Sequence, residues 1–233
     1  IGPEAISFIK LYLVLPSAFL VTVIYFRMHN FFNQHSIFYL STSFFSVFFT
    51  IFAFFLYPYA DYIHVAPEII EKLAVQYPNL KWFIRIVGNW SYALFFIFSE
   101  LWGSVILNLL FWQFANQVIN TDEARRFYPM FILIGNFSLF LVAFVFNNLL
   151  DINNANFLGI KFLPIFCLNI IICFEIIILY YLTNKFVLKD SNTNQFSVLE
   201  TKHEKISFRD SFRVIIASNY IRLMLILVIS NGI

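Results

Sequence analysis

Few side chains in this sequence can do chemistry, and the most telling ones lie inside apolar runs. Glu100 stands near the midpoint of a run long enough to cross a bilayer, with Ser99, Gly103, Ser104 and Asn108 around it. A charge at the centre of a spanning helix costs about 2.5–3.5 kcal/mol on insertion scales, so it normally faces a cavity, a partner or a pathway. At about 100° per residue, Asn89, Glu100, Ser104 and Asn108 fall within roughly a third of the helix circumference, with Gly103 beside them. Two readings fit this polar stripe. It lines a pathway for a polar solute, or it is a helix contact in which Gly103 and Ser104 allow close approach and Asn108 bonds across.

Lys10 lies about one turn inside the end of another apolar run. It either snorkels to the interface or supplies a cation at depth for an anionic ligand. Glu175 is nearly as deep as Glu100 but has fewer polar neighbours on its face, and Arg222 has a polar segment close by to receive its head group. The remaining chemistry-bearing residues exclude several classes. No GxxxxGK[ST] loop occurs, and the six glycines are too dispersed to cradle a phosphate, which argues against an ATP-hydrolysing pump. The four histidines, His29, His35, His64 and His203, lie in connections without metal-ligand spacing, so no metal is expected. Cys167 and Cys173 are six apart in one apolar run and point about 120° apart on a helix, too divergent to bridge. No nucleophile and base pair stands out, and neither an enzyme nor a cofactor is expected.

The elements that must hold Glu100 and Lys10 follow from hydropathy. Of 233 residues, 61% are hydrophobic and 12% charged, against about 25% charged in a soluble domain. The chain therefore reads as an all-α polytopic membrane protein with the lipid bilayer as its solvent. The 33 phenylalanines exceed what interfacial belts need, so aromatic rings are expected against lipid and between helices. A net charge of +2, scattered through connections, gives no case for nucleic-acid binding.

Spans are expected at about 6–26, 37–57, 86–115, 130–150 and 162–182, forming a bundle over residues 1–182. Between the second and third, Pro67 opens a short amphipathic helix that would lie on the membrane surface, with Ile69, Ile70, Leu73 and Ala74 on one side and Glu68, Glu71 and Lys72 on the other. Thr121, Asp122 and Glu123 have the composition of a helix N-terminus. A polar linker occupies 183–213 and a sixth span begins at 214–233.

Arg27, Arg125, Arg126, Lys185, Lys189, Lys202, Lys205, Arg209 and Arg213 fall on one side of this arrangement, against Lys72, Lys81, Arg85 and Lys161 on the other. The excess of positive charge marks the first side, including the linker, as cytoplasmic. Five spans, a linker and a new span is the pattern of a two-bundle secondary transporter whose first helix precedes Ile1.

The run Glu100-Leu101-Trp102-Gly103-Ser104, continued by Leu110-Phe111-Trp112-Gln113-Phe114-Ala115-Asn116-Gln117 and Glu123-Ala124-Arg125-Arg126-Phe127-Tyr128, closely resembles the ATP/ADP translocases of obligate intracellular bacteria and plastids. Leu13-Val14-Leu15-Pro16-Ser17-Ala18 after Lys10, Leu56-Tyr57-Pro58 and Asn89-Trp90-Ser91 carry the same resemblance. It implies a major-facilitator-like fold of about twelve spans in two bundles, of which these would be the second to seventh. It implies a membrane antiporter that exchanges ATP for ADP by alternating access, in a bacterial inner membrane or, as the alternative, a plastid inner envelope. Proton-coupled import of other nucleotides or a related metabolite is the other expectation. Glu100 matches a family glutamate implicated in transport, and Lys10 matches a family lysine. Because nucleotide phosphates are anionic, Glu100 would pair with a lysine or accept hydrogen bonds from base or ribose, and Lys10 would serve the phosphates.

Overall fold

A computed structural model describes residues 3–119, 121–152, 162–188, 217–219 and 221–223. The described residues are helical, with no strand among them, and five helices are long and apolar enough to cross a membrane. These are α1 (Ala5–His29), α2 (Gln34–Leu56), α5 (Trp90–Val118), α6 (Thr121–Ile152) and α7 (Leu163–Phe186). Two shorter helices, α3 (Pro67–Gln76) and α4 (Lys81–Gly88), fill the connection between α2 and α5. Residues 189–213 of the expected linker and most of the expected sixth span lie outside the described residues.

The core forms where phenylalanines from α2 meet those of α5. Phe48 stacks on Phe98 with ring centroids 3.9 Å apart, and Phe52 stacks on Phe95 at 4.4 Å. On the neighbouring face of α2, Phe38 stacks on Tyr180 of α7 at 3.7 Å. Helix α2 is thus the inner member of the bundle, its aliphatic and aromatic side chains joined by Ile97, Leu101, Ile106 and Leu110 of α5 and Cys173 of α7. Small polar residues are buried among the packed helices. Thr42 and Ser91 are fully buried, and the Thr42 hydroxyl donates to the Phe38 carbonyl of its own helix, while the buried Ser46 hydroxyl one turn on has no hydrogen-bond partner among the described residues.

Prolines shape two spans locally. The Leu15 N–H reaches back to the Lys10 carbonyl, making a π-helical turn over Lys10–Val14 just before Pro16. The Tyr57 N–H does the same to the Phe52 carbonyl just before Pro58. A proline removes an N–H and clashes with the carbonyl four residues back, and a π turn re-pairs the groups so freed. A longer π-helical segment, Gly103–Phe111, occupies the middle of α5.

Three boundaries differ from the sequence expectation. The third span is interrupted at Asn89, so its expected start at residue 86 belongs to α4. The Asn89 amide donates to the Arg85 carbonyl at 3.0 Å and closes that helix, as asparagine does when its side chain competes with the backbone. Helix α6 begins at Thr121, well before residue 130, because Asp122 and Glu123 in its first turn suit the helix dipole. Helix α7 continues through a π turn over Thr183–Leu188, beyond the apolar run.

Helix α3 forms over the expected residues and docks on α4. Ile70 and Ala74 are buried, while Ile69 and Leu73 point outward. Gly88 makes this docking possible, since a Cβ there would lie 2.5 Å from Cδ1 of Ile70. An Arg85–Glu71 ion pair at 3.0 Å and a backbone hydrogen bond from Val65 to Gly88 complete the joint.

Candidate functional site

Glu100 lies ten residues into α5, about 15 Å from that helix's start at 1.5 Å per residue, or near mid-depth of a hydrocarbon core about 30 Å thick. Lys10 lies on α1, near the end that packs on α4, where Phe8 meets Phe83 with ring centroids 4.7 Å apart. Lys10 Nζ is 2.9 Å from Glu100 Oε1, and the same ammonium lies 5.9 Å from the centroid of the Phe96 ring. Both side chains remain open to one side, at 54% and 37% relative exposure, so the pair borders a groove and is not sealed in the core.

That groove has a volume of about 320 Å³ and is lined by Phe96, Ser99, Glu100, Gly103, Ser104 and Asn108. The structure therefore gathers Glu100, Ser104 and Asn108 on one wall with Lys10 at its edge. Gly103 has nothing within 4 Å of where a Cβ would lie, so it keeps the wall low and is not a point of close helix approach. Asn89 is not in this group, being engaged as the cap of α4. Phe96 also lines the groove; it lies one helical turn before Glu100 on the same face, where extending the stripe backward reaches it, while Ser99 joins from the adjacent position. Glu175 is exposed on α7 and has no ion-pair partner among the described residues. The Arg222 guanidinium donates to Asn219 Oδ1 at 2.9 Å.

The wall offers complementary chemistry. Lys10 supplies three N–H donors and a compact positive charge, suited to phosphate as a point charge. Asn108 and Ser104 each carry a donor and an acceptor, and Glu100 accepts hydrogen bonds. At the opposite ends of the helices, polar side-chain pairs tie the bundle together: Tyr25 with Gln113, Gln34 with Gln117, Asn116 with Tyr128, and His35 Nδ1 with Tyr180 Oη at 2.8 Å. These join α1 and α2 to α5, α5 to α6, and α2 to α7, so one end is cross-linked by polar contacts while the groove lies toward the other. At that other end, His64 Nε2 meets the buried Ser91 hydroxyl at 2.7 Å. Burial pushes the His64 imidazole below its ordinary range, against the opposing pull of Asp61.

Comparison with known proteins agrees with the motifs. The family profile described as TLC ATP/ADP transporter matches residues 1–233. The chain is 45% identical over 236 residues to ADP,ATP carrier protein 1 of Rickettsia conorii, covering all of this chain and 47% of that protein. It is 42% identical to ADP,ATP carrier protein 1 of Rickettsia prowazekii with the same coverage, and 38% identical over 250 residues to ADP,ATP carrier protein 3 of Rickettsia conorii, covering 99% of this chain and 49% of that protein. The chain thus spans about half the length of the curated relatives it matches. No solved structure matches it. With a profile match over every residue and five membrane-spanning helices, this multi-pass membrane protein belongs to the TLC ATP/ADP transporter family.

Proposed function

We propose that this chain supplies one bundle of a membrane antiporter that exchanges nucleotides, ATP inward against ADP outward, in a bacterial inner membrane. The observation that carries this reading is the Lys10–Glu100 pair, two opposite charges from different helices meeting at depth on the wall of an open polar groove. A packing contact would bury such a pair or replace it with apolar groups, since ion pairs seldom stabilise a fold enough to offset their desolvation. A pair left open to a groove can exchange partners. An arriving nucleotide presents phosphate oxygens that compete with Glu100 for the Lys10 ammonium. Glu100, released, accepts hydrogen bonds from ribose or base, while Ser104 and Asn108 give orientation.

The α2 core and the polar cross-links support movement of the bundle as one body, which alternating access by two rocking bundles requires. In this reading residues 1–182 are that bundle, 183–213 the cytoplasmic linker and 214–233 the first helix of a second bundle. The end bearing Arg27, Arg125 and Arg126 faces the cytoplasm. Binding a substrate that favours each facing state in turn, and no covalent step, drives the cycle. It is a carrier and not an enzyme.

The test is uptake of labelled ATP into liposomes bearing the intact protein. Uptake stimulated by ADP inside the vesicles is expected. Uptake indifferent to internal ADP and driven by a pH gradient would replace this reading with proton-coupled import of another nucleotide or a related metabolite.

A further inference from the structure

A second cavity, mostly apolar in its lining and polar at its rim, lies at the other end of the bundle, where the start of α2 meets the end of α7. Its volume is about 380 Å³, and it is lined by His35, Tyr39, Tyr181, Asn184 and Lys185. Its polar rim carries an ammonium, an imidazole, an amide and two phenols, and no carboxylate lines it among the described residues. Lys185 has no carboxylate partner among the described residues, and its ammonium instead lies 5.5 Å from the Tyr181 ring centroid and 5.4 Å from that of Phe186. His35 engages Tyr180 through Nδ1, leaving Nε2 as the ring nitrogen available to a ligand. The Asn184 amide already donates to the Tyr180 carbonyl at 2.8 Å, which fixes that residue at the cavity edge.

Depth narrows the ligand further. The cavity lies where the apolar windows of two spans end, and tyrosine and lysine at such a level mark the boundary between hydrocarbon and head groups. A compact cation with imidazole and phenol donors around it suits a tetrahedral oxyanion with several acceptor oxygens. We propose that His35, Tyr39, Tyr181 and Lys185 form a binding site for a phosphate-bearing anion, either the head group of an anionic phospholipid or a free phosphate group, separate from the groove at Glu100. Occupancy there clamps α2 to α7 and reinforces the His35–Tyr180 link. The site does not depend on the nucleotide-exchange reading, because no residue is shared between the two cavities.

Native mass spectrometry of the intact protein in detergent, titrated separately with phosphatidylglycerol, phosphatidylcholine and inorganic phosphate, tests this site. Phosphatidylglycerol or phosphate is expected to bind in preference to phosphatidylcholine. Replacing the charged donor in Lys185→Gln should weaken that binding about tenfold. His35→Gln should weaken it less, and Arg125→Gln, a basic residue on the same side but outside the cavity, should leave it unchanged. Retention of phosphatidylglycerol that phosphate does not displace identifies the membrane as the source; displacement by phosphate identifies a soluble anion. Equal weakening by Lys185→Gln and Arg125→Gln, or no preference of the wild-type protein for either anionic probe, would overturn the proposal.

Discussion

Glu100 and Lys10 are separated by 90 positions in the chain and meet at 2.9 Å. Each was visible in the sequence for its own reason, a charge inside an apolar run. Their meeting was not, because hydropathy fixes the depth of a residue and leaves the rotation and neighbours of its helix open. Lys10 alone read equally well as a snorkelling residue, whereas the structure turns its ammonium inward to a carboxylate. Asn89 shows the reverse: spacing placed it on the Glu100 face, but a break at that residue makes it a helix cap. A second residue-scale consequence concerns His64, whose burial depresses its affinity for a proton. In the unfolded chain the imidazole protonates as pH falls through about 6.5. The folded protein resists that protonation, so the joint around Ser91 is fully stable above this pH and loses stability as pH falls from there toward the lower folded value. Thermal unfolding followed across this range should show the decline, and His64→Gln should flatten it.

At the scale of elements, the aromatic seam between α2 and α5 predicts a sharp contrast. Phe52 is 1% exposed and Phe140 on α6 is 74% exposed. Phe52→Ala should lower stability by about 3–5 kcal/mol, the range for deleting a buried ring, and Phe140→Ala should change the melting temperature little. Differential scanning fluorimetry in detergent measures both. The joint between α3 and α4 gives another case. Gly88→Val must displace Ile70, an overpacking that costs about 1–3 kcal/mol, and it should raise hydrogen exchange in Pro67–Gln76 while the spans remain protected. Helix α3 itself was legible, because Pro67 and its apolar spacing are local signals. The π turns over Lys10–Val14 and Phe52–Leu56 were not, although Pro16 and Pro58 stood beside them; proline predicts a disturbed helix but not which hydrogen bonds replace the lost one.

For the whole molecule, five spans and their order were readable because a bilayer demands long apolar helices and leaves little else possible. Which helix lies innermost was not readable, since α2 and α6 are comparably apolar while 44% of the α2 window and none of the α6 window is buried. That asymmetry puts the groove on α5, beside the helix most firmly held, and lets α1 bring Lys10 to it from outside the core. In the proposed exchange cycle, Lys10 and Glu100 act as one coupled unit. A double-mutant cycle on ATP uptake into ADP-loaded liposomes measures this most directly, using Lys10→Gln, Glu100→Gln and both together in the intact protein. Each single variant should lower exchange about 10- to 100-fold, the loss of one charge-assisted interaction, and the double variant should be no worse than the poorer single one. Losses that multiply in the double variant, or exchange unaffected by Glu100→Gln, would contradict it.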